Sequence, residues 1–308
     1  MTQLDPISSD WLALREHADD RARTVTTTDL LPPLVRSLDA EATSAGGVPV
    51  LCIDLGTGTG ANPRWLMPRL PLAQTWLLVD HDEALLTELR ERLSGLNVPW
   101  EPVASDVAHL GAVLAMHRQP GQPVLVTCAA LLDLLDSATV EDLAAILRDA
   151  GAHGLFSLTV DGTGTLDPAG PLDDAVQAAF NDHQQRHGHL GPDGVPALQR
   201  ALGDGVTSTV HVTVRQTDWQ VDAADPADRA LIERLLRDRA AAVAEQVRRD
   251  GTDLTEEPQE PDRTAPTTSA ALTPQDVEAW RDDRLVAARD GALRLRVGHR
   301  DVLVMPSA

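Results

Sequence analysis

The sequence predicts a doubly wound α/β protein: a mostly parallel sheet with helices on both faces and a helical cap at the N-terminus. Three observations predict it. Apolar runs of strand length alternate with segments of helical period, as in successive βαβ units. The first run, residues 50–53, passes through Asp54 into a turn that holds Gly56, Gly58 and Gly60. An aspartate also stands at the carboxyl end of each of the first three expected strands: Asp54, Asp80 and Asp106.

The elements follow in order. Residues 10–23 set Trp11, Leu12, Leu14 and Ala18 against Arg15, Asp19 and Arg23, with two charge pairs at i,i+4 spacing. This segment reads either as a surface helix on the sheet or as a lid over a pocket, where Arg15 or Arg23 meets a ligand carboxylate. Residues 50–53 form a strand buried on both faces. The glycines after it let backbone approach a ligand closely, since no Cβ stands in the way. A short helix starts near Asn62, with Pro63 in its first turn, and continues over residues 64–70. Residues 75–79 make the second strand, ended by Asp80. Asp82 caps the next helix, whose Leu85, Leu86, Leu89 and Leu93 recur at helical spacing. Residues 98–104, 124–128 and 153–160 are the third, fourth and fifth strands. A helix carrying Val140, Leu143, Ile146 and Leu147 lies between the last two.

Beyond Asp161 the pattern loosens. A helix is expected over 172–185, then a Gly/Pro-rich loop over 187–196 and a short helix ending near Gly203. A strand over 206–214 and a long helix over 226–249 follow, the latter with Leu231, Leu235, Leu236, Val243 and Val247 on its apolar face. Residues 250–272 collect acids, threonines and prolines without apolar period, which reads as a flexible acidic linker. A helix around 274–288 and a strand region near 293–305 close the chain. Three regions result: a cap over 1–48, a ligand-binding core over 49–225, and a helical insertion over 226–308 that carries the linker and the last strand.

Composition narrows the function. The 308 residues hold 26 basic and 47 acidic side chains, a net charge of −21, and no lysine. Such a chain is a poor partner for a nucleic-acid backbone or an anionic membrane, which favours a small-molecule ligand. Cys52 and Cys128 sit inside apolar runs and read as buried thiols of a reducing compartment. The N-terminus lacks a charged-then-apolar leader pattern and no apolar run reaches membrane-spanning length, so a cytoplasmic enzyme is expected.

The glycine turn admits two ligand classes. Gly56, Gly58 and Ala61 fit the dinucleotide pattern G-x-G-x-x-G/A, with Asp80 spaced to take ribose hydroxyls. Asp54 separates the two. A carboxylate two residues before the first glycine repels a pyrophosphate and attracts a cationic amino-acid tail. S-adenosylmethionine (SAM) carries an ammonium and a sulfonium and no phosphate. Asp54–Gly60, read as Asp-x-Gly-x-Gly-x-Gly, resembles the first motif of the class I SAM-dependent methyltransferases.

The likeness extends to a bacterial subgroup of that superfamily through Trp11-Leu12-Ala13-Leu14-Arg15, Gly58-Thr59-Gly60-Ala61-Asn62 and Leu77-Leu78-Val79-Asp80-His81-Asp82. It continues in Ala129-Ala130-Leu131-Leu132-Asp133, His183-Gln184, Asp218-Trp219 and Gly298-His299-Arg300-Asp301. The resemblance implies a seven-stranded sheet with its last strand antiparallel, and SAM as cofactor. It implies that Asp54, Gly56, Gly58 and Gly60 line the methionine end; Asn62 is placed with them, and the lid reading sets Arg15 or Arg23, with Arg23 taken as the cofactor residue, at the carboxylate. Asp80 then takes the ribose hydroxyls, His81 or Asp82 flanks the adenine, and Asp106 accepts from the adenine amino group.

Methyl transfer from a sulfonium is an in-line displacement that alignment and water exclusion accelerate. An oxygen or ammonium nucleophile must also lose a proton, so a base near the methyl helps. Asp133, Asp161, His183, His187 and His189 follow the fourth and fifth strands; His183 is the preferred base, with Asp133 as the second catalytic residue. His183, His187 and His189 could together hold a metal, but no neighbouring cysteine or carboxylate ligand completes a set, and no metal is expected. The fourth strand ends in Thr127-Cys128-Ala129-Ala130, not in the Asn/Asp-Pro-Pro-Tyr/Phe of relatives that methylate adenine or glutamine nitrogen. Cys128 also lacks the Pro-Cys setting used on pyrimidine carbon. The expected reaction is methyl transfer to an oxygen or nitrogen of a small metabolite. The alternative is a SAM- or nucleotide-binding regulatory or scaffold protein without methyl transfer.

Overall fold

The computed structural model describes residues 8–203, 209–253 and 272–307. Its described residues form two compact units. The first is drawn from Met1–Asp161, His187–Trp219 and Gly298–Ala308, the second from Gly162–Arg186 and Gln220–Val297.

The first unit holds the sheet's centre. Strands β1 (Val50–Leu55), β2 (Gln74–Asp80), β3 (Trp100–Ala104), β4 (Val124–Ala129) and the start of β5 (His153–Asp167) pair in parallel in the order β3-β2-β1-β4-β5. The path then continues through β8 (Arg294–Pro306) to β6 (Val210–Gln216), which pair antiparallel. A short eighth strand, β7 (Trp219–Asp222), pairs with β8 off that path. Seven strands thus lie on the main path, as the resemblance implied, and β7 is an addition that no run of residues announces.

Period-two alternation divides the core. Leu51, Ile53 and Leu55 of β1 face one cluster with Val124, Val126 and Cys128. Val50 and Cys52 face the other with Trp76, Leu78 and Leu125. Every residue of β1 is buried because helices cover both faces. The first cluster is closed by α6 (Ser137–Ala150) and α8 (Gly194–Leu202), the second by α2 (Leu31–Ser44), α3 (Ala61–Leu66) and α4 (Glu83–Arg92). Cys52 and Cys128 are buried free thiols, each in a different cluster.

Helix α1 (Ser9–Ala22) is capped by Ser8 and joined to α2 by a π-helical turn over Thr26–Leu30. Two helices of this unit were not expected: α2, whose Leu31, Leu34, Val35 and Leu38 recur at helical spacing behind Pro32 and Pro33, and α5 (Leu110–His117), which is apolar on nearly every side. A helix without a polar face lacks the 3.6-residue signal.

The second unit is mainly helical: α7 (Asp173–Gln184), α9 (Pro226–Asp253) and α10 (Pro274–Arg289), with the later part of β5 and the earlier part of β8. Strand β5 runs on to Asp167, seven residues past its expected end at 160, so Asp161 lies within it and not at its tip. Helix α9 takes in residues 250–253; the rest of the expected linker, 254–271, lies outside the described residues, as do 206–208 of the expected strand before β6.

Candidate functional site

The glycine turn is fastened from below. Thr57 donates its N–H to the Val79 carbonyl at 3.0 Å, which ties the turn to the end of β2. Gly58, at φ +54°, donates its N–H to Asp80 Oδ2 at 2.7 Å, and Asp82 donates its own to Asp80 Oδ1 at 3.0 Å. Each Asp80 oxygen thus has one fixed backbone donor and a lone pair left for a further donor such as a hydroxyl. Gly60, at φ +84°, sits where a Cβ would lie 2.8 Å from Leu89, so α4 packs directly on bare backbone.

Beneath the turn runs a buried polar chain. Asp54 stands beside Thr127 in the register of β1 and β4, and Asn62, from the first turn of α3, bridges them. Its amide nitrogen donates to Asp54 Oδ1 at 2.6 Å and to Thr127 Oγ1 at 3.1 Å. Its carbonyl accepts from Arg23 Nη1 at 3.1 Å. Burial pushes the Asp54 carboxyl up to about 7, against hydrogen bonds from Thr57 and Asn62 and the charge of Arg23. The same burial lowers the Arg23 pKa, which Asp19, Asp301 and Asp20 partly offset.

Helix α1 forms the cover. Leu12 reaches the turn so closely that a Cβ on Gly58 would lie 3.1 Å from its Cδ1. Glu16 pairs with Arg64 of α3 and with Arg92 of α4, the latter at 3.1 Å, which pins the helix at its middle. Arg15 grips Asp19 through two bonds, 3.0 and 3.1 Å, and lies over the Trp219 ring. Trp219 Nε1 donates to Asp19 at 3.0 Å, and its ring meets His299 at 4.8 Å between centroids. Close by in the chain, Asp301 accepts from Leu158 N–H and Thr217 Oγ1, both at 2.7 Å, and from Thr26 Oγ1, which ties the π-helical turn to the sheet.

These parts enclose a cavity at the carboxyl ends of β1 to β4. Gly56, Gly58, Asn62, Asp80, His81, Asp82, Asp106 and Arg23 all line it, so eight of the expected cofactor residues come together from four elements and a cap. Asp106 there also caps the turn after β3, accepting from Ala108 N–H at 2.9 Å. Asp54 and Gly60 lie behind the wall: Asp54 is 1% exposed and Asn62 stands in front of it.

The two expected catalytic residues belong to different units. Asp133 lies on the short turn Leu132–Leu134, buried and absent from the wall, although Leu131 and Leu134 beside it contribute. Burial pushes its carboxyl up to about 6, opposed by its own backbone N–H and the charge of Arg15. His183 belongs to α7 of the second unit, where Nε2 lies 3.4 Å from Glu245 Oε2. Asp161 pairs with Arg300 at 3.3 Å. Wall residues that sequence reasoning gave no role include Asp19, Thr57, Thr59, Asp136 and Thr139. Only Asp19 carried a signal, its i,i+4 spacing to Arg15.

No family model matches the sequence, and no curated protein is similar enough to match. Among solved structures, the chain is similar to a SAM-dependent methyltransferase from Geobacter sulfurreducens in complex with S-adenosyl-L-homocysteine, at 17% identity and TM-score 0.41 over 100% of both chains. It is also similar to the plantazolicin methyltransferase BpumL in complex with SAH, at 10% identity and TM-score 0.40 over 98% of this chain and 91% of that one. A third is the cyclopropane synthase MmaA2 from Mycobacterium tuberculosis, at 11% identity and TM-score 0.38 over 87% and 83%. The resemblance implied a seven-stranded sheet with its last strand antiparallel, and the seven strands of the main path with the antiparallel β6–β8 pair agree with that.

Proposed function

We propose that this chain is a SAM-dependent methyltransferase that acts on an oxygen or nitrogen of a small metabolite in the cytoplasm. The observation that carries the reading is Asp80, held by the Gly58 N–H inside a glycine turn that opens on a covered cavity. When bound, SAM supplies an electrophilic methyl on a sulfonium. The residues fit it. Asp80 keeps lone pairs for two ribose hydroxyls, and a Cβ at Gly58 would crowd the cover and narrow the turn. Arg23 presents a buried cation for the methionine carboxylate, with its Nε free of any partner among the described residues. Asp54 acts through Asn62: its carboxyl accepts from the amide and orients it, and a cationic ligand tail favours the charged form of that carboxyl. His81 or Asp82 flanks the adenine and Asp106 receives its amino group. The apolar side chains Trp11, Leu12 and Leu131 exclude water where the methyl moves.

Charge supports a small-molecule acceptor, since a −21 chain attracts neither nucleic acid nor an anionic surface. Calorimetric titration with SAM, S-adenosylhomocysteine and NAD tests the reading. Binding of the first two and not of NAD is expected; NAD binding alone overturns it.

One observation favours a second reading, a SAM-binding regulatory or scaffold protein. Asp133, the one expected catalytic residue of the first unit, is absent from the cavity wall, and proton removal then has no assigned base within that unit. Incubation with methyl-labelled SAM and a pool of small metabolites separates the two. Labelled product supports the enzyme, and tight SAM binding with no transfer supports the second reading.

A further inference from the structure

We infer that Asp301 of β8 is a positioning residue for the cofactor's carboxylate: it anchors the turn after α1 and thereby sets the Arg23 guanidinium. The inference rests on the assignment of Arg23 to the methionine carboxylate made above. Arg23 closes α1 as its C-cap and is 3% exposed. Its guanidinium lies over the Trp65 ring, 4.8 Å from the centre, and Nη1 donates to Asn62 at 3.1 Å. Nε has no partner among the described residues. A planar cation held on one face and one corner offers its remaining N–H groups to a carboxylate in a fixed direction. That direction is defined only while the backbone beneath the side chain is fixed too.

The chain just beyond Arg23 supplies that fixing. Thr27 donates both its N–H and its hydroxyl to the Arg23 carbonyl, at 3.1 and 3.2 Å, so Arg23 moves with the π-helical turn. Such turns are rare and occur mostly at functional sites. Thr26, fully buried at the start of the turn, gives its hydroxyl to Asp301 Oδ2. The other oxygen, Oδ1, is bound to the body of the unit by Leu158 N–H and Thr217 Oγ1, both at 2.7 Å. Leu158 stands at φ +57°, a conformation that bulky residues seldom adopt, and in it the N–H meets Asp301. Strain of this kind persists where the surroundings fix it, and here it supplies one of the donors to a single carboxylate. Asp301 is thus the junction of the cap, β5 and the segment before β7, and it stands close enough to Arg23 for its charge to oppose the effect of burial there. The same charge repels a ligand carboxylate, so what Asp301 contributes to binding is the anchor.

The test is calorimetry on the full chain with S-adenosylhomocysteine and with its decarboxylated analogue, which keeps the adenosine and the ammonium and lacks only the carboxylate. Wild type is expected to prefer the first by at least about tenfold, since bonds between charged groups are the strong ones. Thr26→Val removes the hydroxyl that meets Asp301 and keeps the shape. It is expected to weaken S-adenosylhomocysteine about fivefold and the analogue by less than about twofold. Thr26→Ser retains the hydroxyl and is expected to bind both ligands as wild type does. Asp301→Ala, which also releases Leu158 and Thr217, is expected to show the same selective loss, larger in size; should it not fold, the two Thr26 variants decide. Equal weakening of both ligands, or unchanged affinity in Thr26→Val, overturns the inference alone and leaves the methyltransferase reading standing. A wild type that binds the two ligands equally removes Arg23 from the carboxylate and overturns the inference with it. A wild type that binds neither overturns the SAM reading itself, and the role of Asp301 falls too.

Discussion

The two walls of the cavity are built by different means. The floor is made of backbone: Gly58 N–H and Asp82 N–H hold Asp80, and the glycines let α4 and the cover approach. The cover is made of side chains from distant parts of the chain. Arg15 and Asp19 of α1 meet Trp219, and Trp219 meets His299. A backbone-built site is rigid because its donors are fixed by the strands that carry them. A side-chain-built cover depends on long-range packing, and each of its links is separable by mutation.

That contrast is broken most severely at the floor. Asp80→Ala removes the acceptor for Gly58 N–H and for the ligand's hydroxyls together, and is expected to weaken SAM binding by about 100-fold, since bonds to a charged group contribute about 1.5–3 kcal/mol each. Calorimetry reads the affinity, and a circular dichroism melt verifies that the fold survives. Affinity within threefold of wild type removes Asp80 from the site. At the cover, Trp219→Leu frees Asp19 and one face of Arg15. SAM affinity should drop only about fivefold, with faster proteolysis within α1 measured by limited digestion. A loss as large as that of Asp80→Ala erases the distinction between the walls.

A third test exploits the buried carboxyls. Asp54 is raised from an ordinary 3.8 to about 7, so the unbound protein gains relative stability when both folded and unfolded forms are protonated, below about pH 4. That contribution is lost as pH rises from about 4 through about 7, and Asp133 adds a smaller loss through about pH 6. Asp54→Asn is therefore expected to flatten the decline in Tm between pH 5 and pH 8 by several degrees, in thermal melts without ligand. An unchanged slope means that Asp54 is charged across that range. The smallest effect is expected from His183→Ala, which loses a partly exposed pairing with Glu245. Turnover within twofold of wild type is expected once an acceptor is found; a large fall in kcat with a shifted pH profile restores His183 as the base.

The sheet was legible because its signals are local. Apolar runs such as residues 50–53 and 124–128 need only a neighbour on each side to become buried strands, and the glycine turn with Asp80 follows from chain geometry. Helix α2 left a legible stripe, Leu31, Leu34, Val35 and Leu38, behind two prolines that a first turn tolerates, whereas α5 was not legible because it lacks a polar face. Strand β5 outran its expected end because β8 continues beside it, and such pairing leaves no mark in a single run of residues.

By itself, then, the amino-acid sequence determined the doubly wound sheet, the turn after β1 and the acids at the ends of β1 to β3. Period and backbone freedom act over a few residues, and they suffice for these. The tertiary structure alone decided which acid meets the cavity. Asp80 and Asp106 line it, while Asp54 lies behind Asn62, because the first turn of α3 folds back over β1 and sets an amide between them. It also decided that Asp19 is shared by Arg15 and Trp219, residues 200 positions apart in the second case. Such contacts depend on how distant elements pack, and packing is a property of the whole chain.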